Sequence, residues 1–507
     1  MAATTPAALD AALRYAHRHR ARFLGDVLEL AAIPSVSSDP HHRADVARAA
    51  RWLGRRLRHA GLSDARIVPT GGHPVVTAGW GDRPERPTLL IYGHYDVQPA
   101  EPLAAWTNPP FRPTHDDGLI FGRGVSDDKG QLLTHVAAVE SWLATAGRVP
   151  VNVRFVLEGE EEVGSPHLPA FLGRHWSWLH PDVAVLSDTN MRDARIPALT
   201  VSLRGSLNLE LVVTGASAPA HSGMFGGALS DPARELCRIL AGLHGADGTP
   251  IPELMLGAPN VPPPIRRSAA RVSGLTEVEL LSLSGARRPG PGTVEPGWSA
   301  HERTTIRPAC VITGLQAGYT GPGQLNAVSA TASAHLNIRL APGQNPAVVQ
   351  AALLRRLRAS VPRGVRVRLR RLSATPPVEL PMYGPAVETA VEACRRGFGR
   401  EPVLMRSGGT IPLVAELTHR RKLPVVLLGF ALPDSRMHAP DERLSTASFT
   451  NGTRTVIAFL HELAHRMRAT AVEAEDRRQR RRPPSQVVAR SSLTSRMAAS
   501  LGTGSGE

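Results

Sequence analysis

A few short segments concentrate the residue types that bind metals and move protons. Gly93-His94-Tyr95-Asp96 sets an imidazole and a carboxylate two residues apart. One ring nitrogen can then bind a metal while the carboxylate accepts a hydrogen bond from the other and fixes the tautomer. Gly122 to Gly130 (GRGVSDDKG) offers Asp127 and Asp128 at the mouth of a helix. A carboxylate there can be shared by two ions, or it can simply cap the helix. Glu158-Gly159-Glu160-Glu161-Glu162 follows an apolar run. Such like charges repel unless water or cations offset them, and two adjacent carboxylates can divide the work, one holding metal and one moving protons. Asp188 and His438 add a further carboxylate and a second imidazole. Each segment alone has an ordinary surface explanation. Together they give imidazole and hard oxygen without thiolate, a donor set suited to a hydrolytic pair of divalent ions: zinc, with manganese or cobalt as alternatives. Ions in such pairs sit about 3.5–4 Å apart, so one carboxylate should bridge them.

The elements that must position these groups read as an α/β fold. Helical periodicity covers about 8–32 and 43–61, followed by β-rich runs ending in TLLIYGH; a helix over QLLTHVAAVESWLAT then precedes strands VNVRFVLEG and DVAVLSD. The reactive segments fall at the carboxyl ends of those strands, where α/β folds carry their chemistry. After residue 202 the pattern changes to alternating strands (LNLELVVTG, SAHLNIRLAPG, GVRVRLRRLSA) with helices near 230–243 and 346–359, and to a Pro/Gly/Ser-rich stretch over 247–300 read as irregular. The expected organisation is a catalytic domain over 1–202 and 379–470, an inserted α+β domain over 203–378, and a disordered basic tail over 471–507.

Composition narrows the function classes. The net charge is +15, yet the cations are almost all arginine, Lys129 and Lys422 being the only lysines, and aromatics make up 4 % of residues. A dense run, Arg477 to Arg482, lies in the tail. Cations spread in this way, without interleaved aromatics, argue for no nucleic-acid partner. No apolar run approaches the roughly 20 residues a membrane span needs, so no membrane partner is expected. The N-terminus reads as an amphipathic helix without a cleavage site, and Cys237, Cys310 and Cys394 form no pairing pattern. Both features suit a cytoplasmic protein. His461-Glu462-Leu463-Ala464-His465 matches the pattern of single-zinc proteases but lacks a third ligand nearby, and is read as a chance surface motif.

Taken in order, GHYDVQP, RGVSDDKG, EGEEEVGS, HSGMFGG, ERTTIRP and GYTGPG resemble the dinuclear zinc exopeptidases that include aminoacylase, carboxypeptidase G and succinyl-diaminopimelate desuccinylase, and specifically their carnosinase-like dipeptidase branch. The likeness runs from about residue 25 to 465. It implies a mixed sheet with helices on both faces and an inserted lid/dimerisation domain. It implies two divalent ions per chain, one on His94 and Asp188, the other on Glu162 and His438, with Asp127 bridging. Asp96 would orient His94. Glu161, placed by the following Gly-Ser, would be the general base that activates a metal-bridging hydroxide. His221 would reach the oxyanion of a partner subunit in a homodimer. Substrate contacts would include Asn326, Arg339 and the turn Ser407-Gly408-Gly409-Thr410. One departure is Leu325 to Ser329 (LNAVS), where the branch usually carries Lys-Thr-Val-Ile-Pro, so Asn326 replaces a threonine. The implied activity is metal-dependent hydrolysis of dipeptides or similar small peptides. An N-acyl-amino acid amidohydrolase on the same scaffold is the alternative, and a basic non-enzymatic binding protein the remote one.

Overall fold

The computed structural model describes residues 5–262, 266, 276–290 and 292–480, with side chains described as far as residue 467. Its larger sheet is nine-stranded and mixed. Arg66–Val68, Val75–Trp80, Asn152–Glu158, Thr88–His94, Val183–Leu186, Val425–Gly429 and Ala198–Leu203 lie side by side, and Val378–Glu379 and Val403–Ser407 both pair the last of these. The strands 152–158, 88–94 and 183–186 are parallel neighbours. A parallel strand is covered on both faces, which explains their unbroken apolar runs. Side chains alternate between two cores: Leu89 and Ile91 pack with the helices Pro6–Arg18, Arg43–His59 and Lys129–Ala146, while Leu90 and Tyr92 pack with the helix Leu168–Leu179 and residues 411–417. Register aligns His94 with Glu158 and Tyr92 with Leu186. The reactive ends of three strands therefore meet at one edge.

A second, antiparallel sheet runs Ala309–Ala317, Thr331–Leu340, Gly205–Thr214, Arg366–Thr375. Strict alternation in 205–214 turns Leu207, Leu209, Leu211 and Val213 onto the helices Pro232–Ala241 and Pro346–Ser360, forming a core of its own.

Three differences from the sequence pattern have simple causes. The strands Ala198–Leu203, buried along its whole length, and Val403–Ser407, half-buried along its whole length, show no alternation between faces and carry no period-two signal. Residues 247–300 are not wholly irregular: they include the helices Pro252–Met255 and Glu277–Ser284, the second started by a Thr276/Glu279 capping box. The tail expected to be disordered from 471 is helical as far as Arg480, because the final helix Thr446–Arg480 continues through Ala, Glu, Gln and Arg, all strong helix formers. The rest of the expected tail, 481–507, lies outside the described residues.

Candidate metal centre

His94 closes its strand and is fully buried. Its Nε2 lies 3.0 Å from Asp127 Oδ1 and 4.0 Å from Asp188 Oδ2. The other oxygen of the same aspartate, Asp127 Oδ2, is 2.9 Å from His438 Nε2, which is 3.3 Å from Glu162 Oε2. Potential ligand atoms of His94, Asp127 and Asp188 fall within 4.8 Å of one another, as do those of Asp127, Glu162 and His438. Two three-residue groups thus share one carboxylate, with one oxygen facing each.

Electrostatics show what this crowd lacks. Burial and the neighbouring Asp127 push the Asp188 carboxyl well above the ordinary range. Burial does the same to Glu161, against the pull of His94 and with added repulsion from Asp188, Glu162 and Asp127. His438 is pushed up to about 11: burial opposes its charge, but hydrogen bonds to Asp127 and Glu162 outweigh burial. Asp127 is held well below its usual value, since its bonds to both imidazoles overcome desolvation. Protons on His94 and His438 stand where cations would satisfy the same carboxylates, and the donor set fits divalent metal.

The loops are fixed by further carboxylates. Asp96 is buried; its backbone carbonyl lies 3.2 Å and its carboxylate 3.4 Å from His94 Nδ1, and the carboxylate accepts the backbone N–H of Glu161 and of Glu162 at 3.2 and 3.1 Å. It therefore orients the ring and pins the acidic loop at once. Gln98 Nε2 donates to Glu162 Oε2 at 2.8 Å. Among the consecutive glutamates, Glu160 turns aside to accept the His73 N–H and to pair with His167. The capping alternative for the aspartates is not what forms: Asp128 is the N-cap of Lys129–Ala146 but makes no capping bond, and its Oδ2 accepts the His94 N–H at 3.3 Å. Gly93 is needed for this approach, because a Cβ would stand 2.7 Å from Leu132 and 2.8 Å from the Asp128 carboxylate. Gly124, at φ +82°, turns the Asp127 loop in the left-handed region that favours glycine.

Two supports were not evident in the sequence. Glu158 accepts from Tyr92 and Ser165 beneath the acidic loop, and burial pushes its carboxyl up to about 7. Glu442 is wholly buried under the Asp127 loop. Its proximity to His438 in the chain was the only signal.

The expected substrate contacts form two groups. Arg339 donates to Thr410 Oγ1 at 3.3 Å, Thr410 donates to the Arg204 carbonyl at 2.6 Å, and Arg204 Nε donates to the Gly408 carbonyl at 3.3 Å. Ser407 Oγ accepts the Gly409 N–H at 3.1 Å. Arg204 was not anticipated; burial and the like charge of Arg339 bring it down to about 10. Elsewhere, His221 pairs with Ala327 across a two-stranded ribbon, and the Ser222 N–H donates to the Asn326 carbonyl at 3.0 Å. His221 is exposed, and among the described residues no hydrogen bond or ion pair joins it or Asn326 to the metal-type groups. The His461–His465 motif is otherwise engaged. His461 packs parallel to Trp142, and Glu462 pairs with Arg396 at 3.2 Å.

Residues 90–462 match the family model for peptidase family M20/M25/M40. The chain is similar to the rat Beta-Ala-His dipeptidase, 26 % identical over 90 % of this chain and 96 % of that one. It is equally similar to the Cys-Gly metallodipeptidase of Saccharomyces cerevisiae, 26 % identical over 87 % and 95 %. The crystal structure of human carnosine dipeptidase 1 superposes with a TM-score of 0.78 at 26 % identity, covering 91 % of this chain and 99 % of the other.

Metal entering this centre competes with protons, because the carboxylates around His94 and His438 raise both imidazoles and favour their protonated forms. Zn²⁺ titrations at pH 7 in buffers of different ionisation enthalpy should therefore show net proton release, and affinity should fall as pH is lowered. Buffer-independent heats would show that metal displaces no proton from His94 or His438.

Proposed function

The chain belongs to peptidase family M20/M25/M40, and on that footing we propose that it is a two-metal dipeptidase acting on dipeptides or similar small peptides. The observation that carries this reading is Asp127, whose two oxygens face separate His/carboxylate pairs. The names of the relatives, both dipeptidases, favour the small-peptide substrate.

In this reading His94 and Asp188 hold one ion, Glu162 and His438 the other, and Asp127 joins them. Divalent ions bound there, zinc suiting the donors best and manganese or cobalt using the same ones, supply a lowered pKa for the attacking water. Glu161 takes the proton of that water and returns it to the leaving amine. Asp96 keeps base and ligand in register by holding the N–H groups of both Glu161 and Glu162. Arg339, backed by Ser407, Gly408, Gly409 and Thr410, receives the substrate carboxylate, since a guanidinium pairs a carboxylate in two-point fashion. His221 donates to the developing oxyanion and Asn326 contacts substrate beside it.

Because His221 is tied to its own ribbon, it is assigned to the site of a second copy. The edges of the antiparallel sheet favour such a dimer. One edge strand, Arg366–Thr375, exposes Arg366, Arg368 and Arg370, which discourage pairing. The other, Ala309–Ala317, exposes Val311, Ile312 and Leu315, each about half accessible. An open apolar edge suits a second copy of this chain. The unit over 203–378 would then be the lid and dimerisation domain. Among the described residues no helix is long and apolar enough to cross a membrane, and the three thiols are unpaired, which favours a cytoplasmic enzyme.

Glu161→Ala should lower turnover by about 10²–10⁴-fold with metal content near that of the unmodified chain. Mass-spectrometric hydrolysis assays on a panel of dipeptides and N-acyl-amino acids check this, and full activity in the variant would remove Glu161 as base. Leu315→Arg should give a monomer by light scattering with depressed activity and retained metal. A monomeric variant of undiminished activity would exclude a partner-supplied histidine.

A further inference from the structure

The two halves of the metal centre are anchored differently. His94 and Asp188 sit at, or just beyond, the ends of adjacent parallel strands in the buried middle of the large sheet. In the second half Glu162 also follows a strand of that sheet, Asn152–Glu158, but His438 and the shared aspartate do not. His438 lies on a loop at φ +61° with its side chain 55 % exposed, and Asp127 lies on the loop that precedes the helix Lys129–Ala146.

One side chain joins those two loops. Glu442, four residues beyond His438, is fully buried and its carboxylate is saturated with donors. Oε2 accepts from Arg123 Nη1 at 2.9 Å and from the Gly124 N–H at 2.8 Å. Oε1 accepts from the Ser126 and Asp127 N–H groups at 3.0 and 3.1 Å. The Glu442 carbonyl accepts the Gly122 N–H at 3.0 Å, and the next residues, Arg443–Ser445, pair with Leu119–Phe121. Glu442 thus holds the backbone of the shared aspartate while its own backbone sets where the His438 loop ends. Among the described residues Glu442 makes no hydrogen bond to His94 or Asp188, and its link to the first half runs through Asp127.

We propose that Glu442 is a positioning residue that fixes Asp127 and His438 relative to each other and so sets the affinity of the second ion more strongly than that of the first, which shares Asp127 but keeps His94 and Asp188 on the sheet. The inference rests on the two-metal reading above. Outer partners of metal ligands typically change affinity by about 10–100-fold when replaced. Neutral glutamine at this position presents an N–H₂ toward backbone N–H groups. Aspartate keeps the charge but lacks the reach to meet both sides of the loop.

The test is calorimetric titration of the full metal-free chain with Zn²⁺, repeated with Co²⁺ while following its visible absorption. The unmodified chain should take two ions. Glu442→Gln and Glu442→Asp should keep the first near its original affinity and bind the second about 10–100-fold more weakly. Turnover should recover as free Zn²⁺ is raised, at unchanged KM. Circular dichroism identifies which of the two variants is folded, and either suffices. Unchanged affinity for both ions, or equal loss at both, would overturn the positioning role while leaving the two-metal reading intact. Fewer than two ions on the unmodified chain would overturn both.

Discussion

The Asp127 carboxylate stands between two imidazoles, one oxygen 3.0 Å from His94 and the other 2.9 Å from His438, and the surrounding structure exists to keep it there. Collecting Asp127, Asp188, Glu161 and Glu162 within one buried pocket is unfavourable while they are charged, as the raised pKa values of Asp188 and Glu161 record. Positive charge must be supplied at the centre. In its absence the imidazolium groups supply it. Asp96 and Glu442 hold the surrounding loops by accepting backbone N–H groups, Glu442 also pairing with Arg123.

The large sheet makes this crowding possible by meeting most of the positional requirement with main-chain hydrogen bonds. Parallel pairing of 88–94 with both 152–158 and 183–186 brings an imidazole, an acidic loop and an aspartate to one edge at fixed register. Both faces of these strands are packed, so little play remains at their ends. Asp127 and His438, which do not follow these strands, cannot rely on this and need a separate brace, which is the place Glu442 fills.

Much of this was legible in the sequence because the central strands are apolar, short and followed at once by chemically rich residues. The structure brings together His94, Asp127 and Asp188, and Asp127, Glu162 and His438, residues that the motif order had singled out. What stayed hidden was held by long-range contacts without a local signature. Glu442 meets Asp127 from more than three hundred residues away, and Arg204 meets Gly408 across two hundred. The strands Ala198–Leu203 and Val403–Ser407 lack alternation because the first is buried and the second half-buried along its whole length. The last helix outran its expected end because propensity carried it past the packed region. The HELAH motif shows the reverse error that local pattern invites: its spacing is right, but His461 packs on Trp142 and Glu462 pairs with Arg396.

The central claim is that one aspartate joins two metal-binding halves. Anomalous diffraction at the zinc edge from crystals grown with Zn²⁺ tests it directly. Two peaks should flank the Asp127 carboxylate about 3.5–4 Å apart, one beside His94 and Asp188 and the other beside Glu162 and His438. A single peak, or zinc bound at His461 and His465 with none at Asp127, would contradict it.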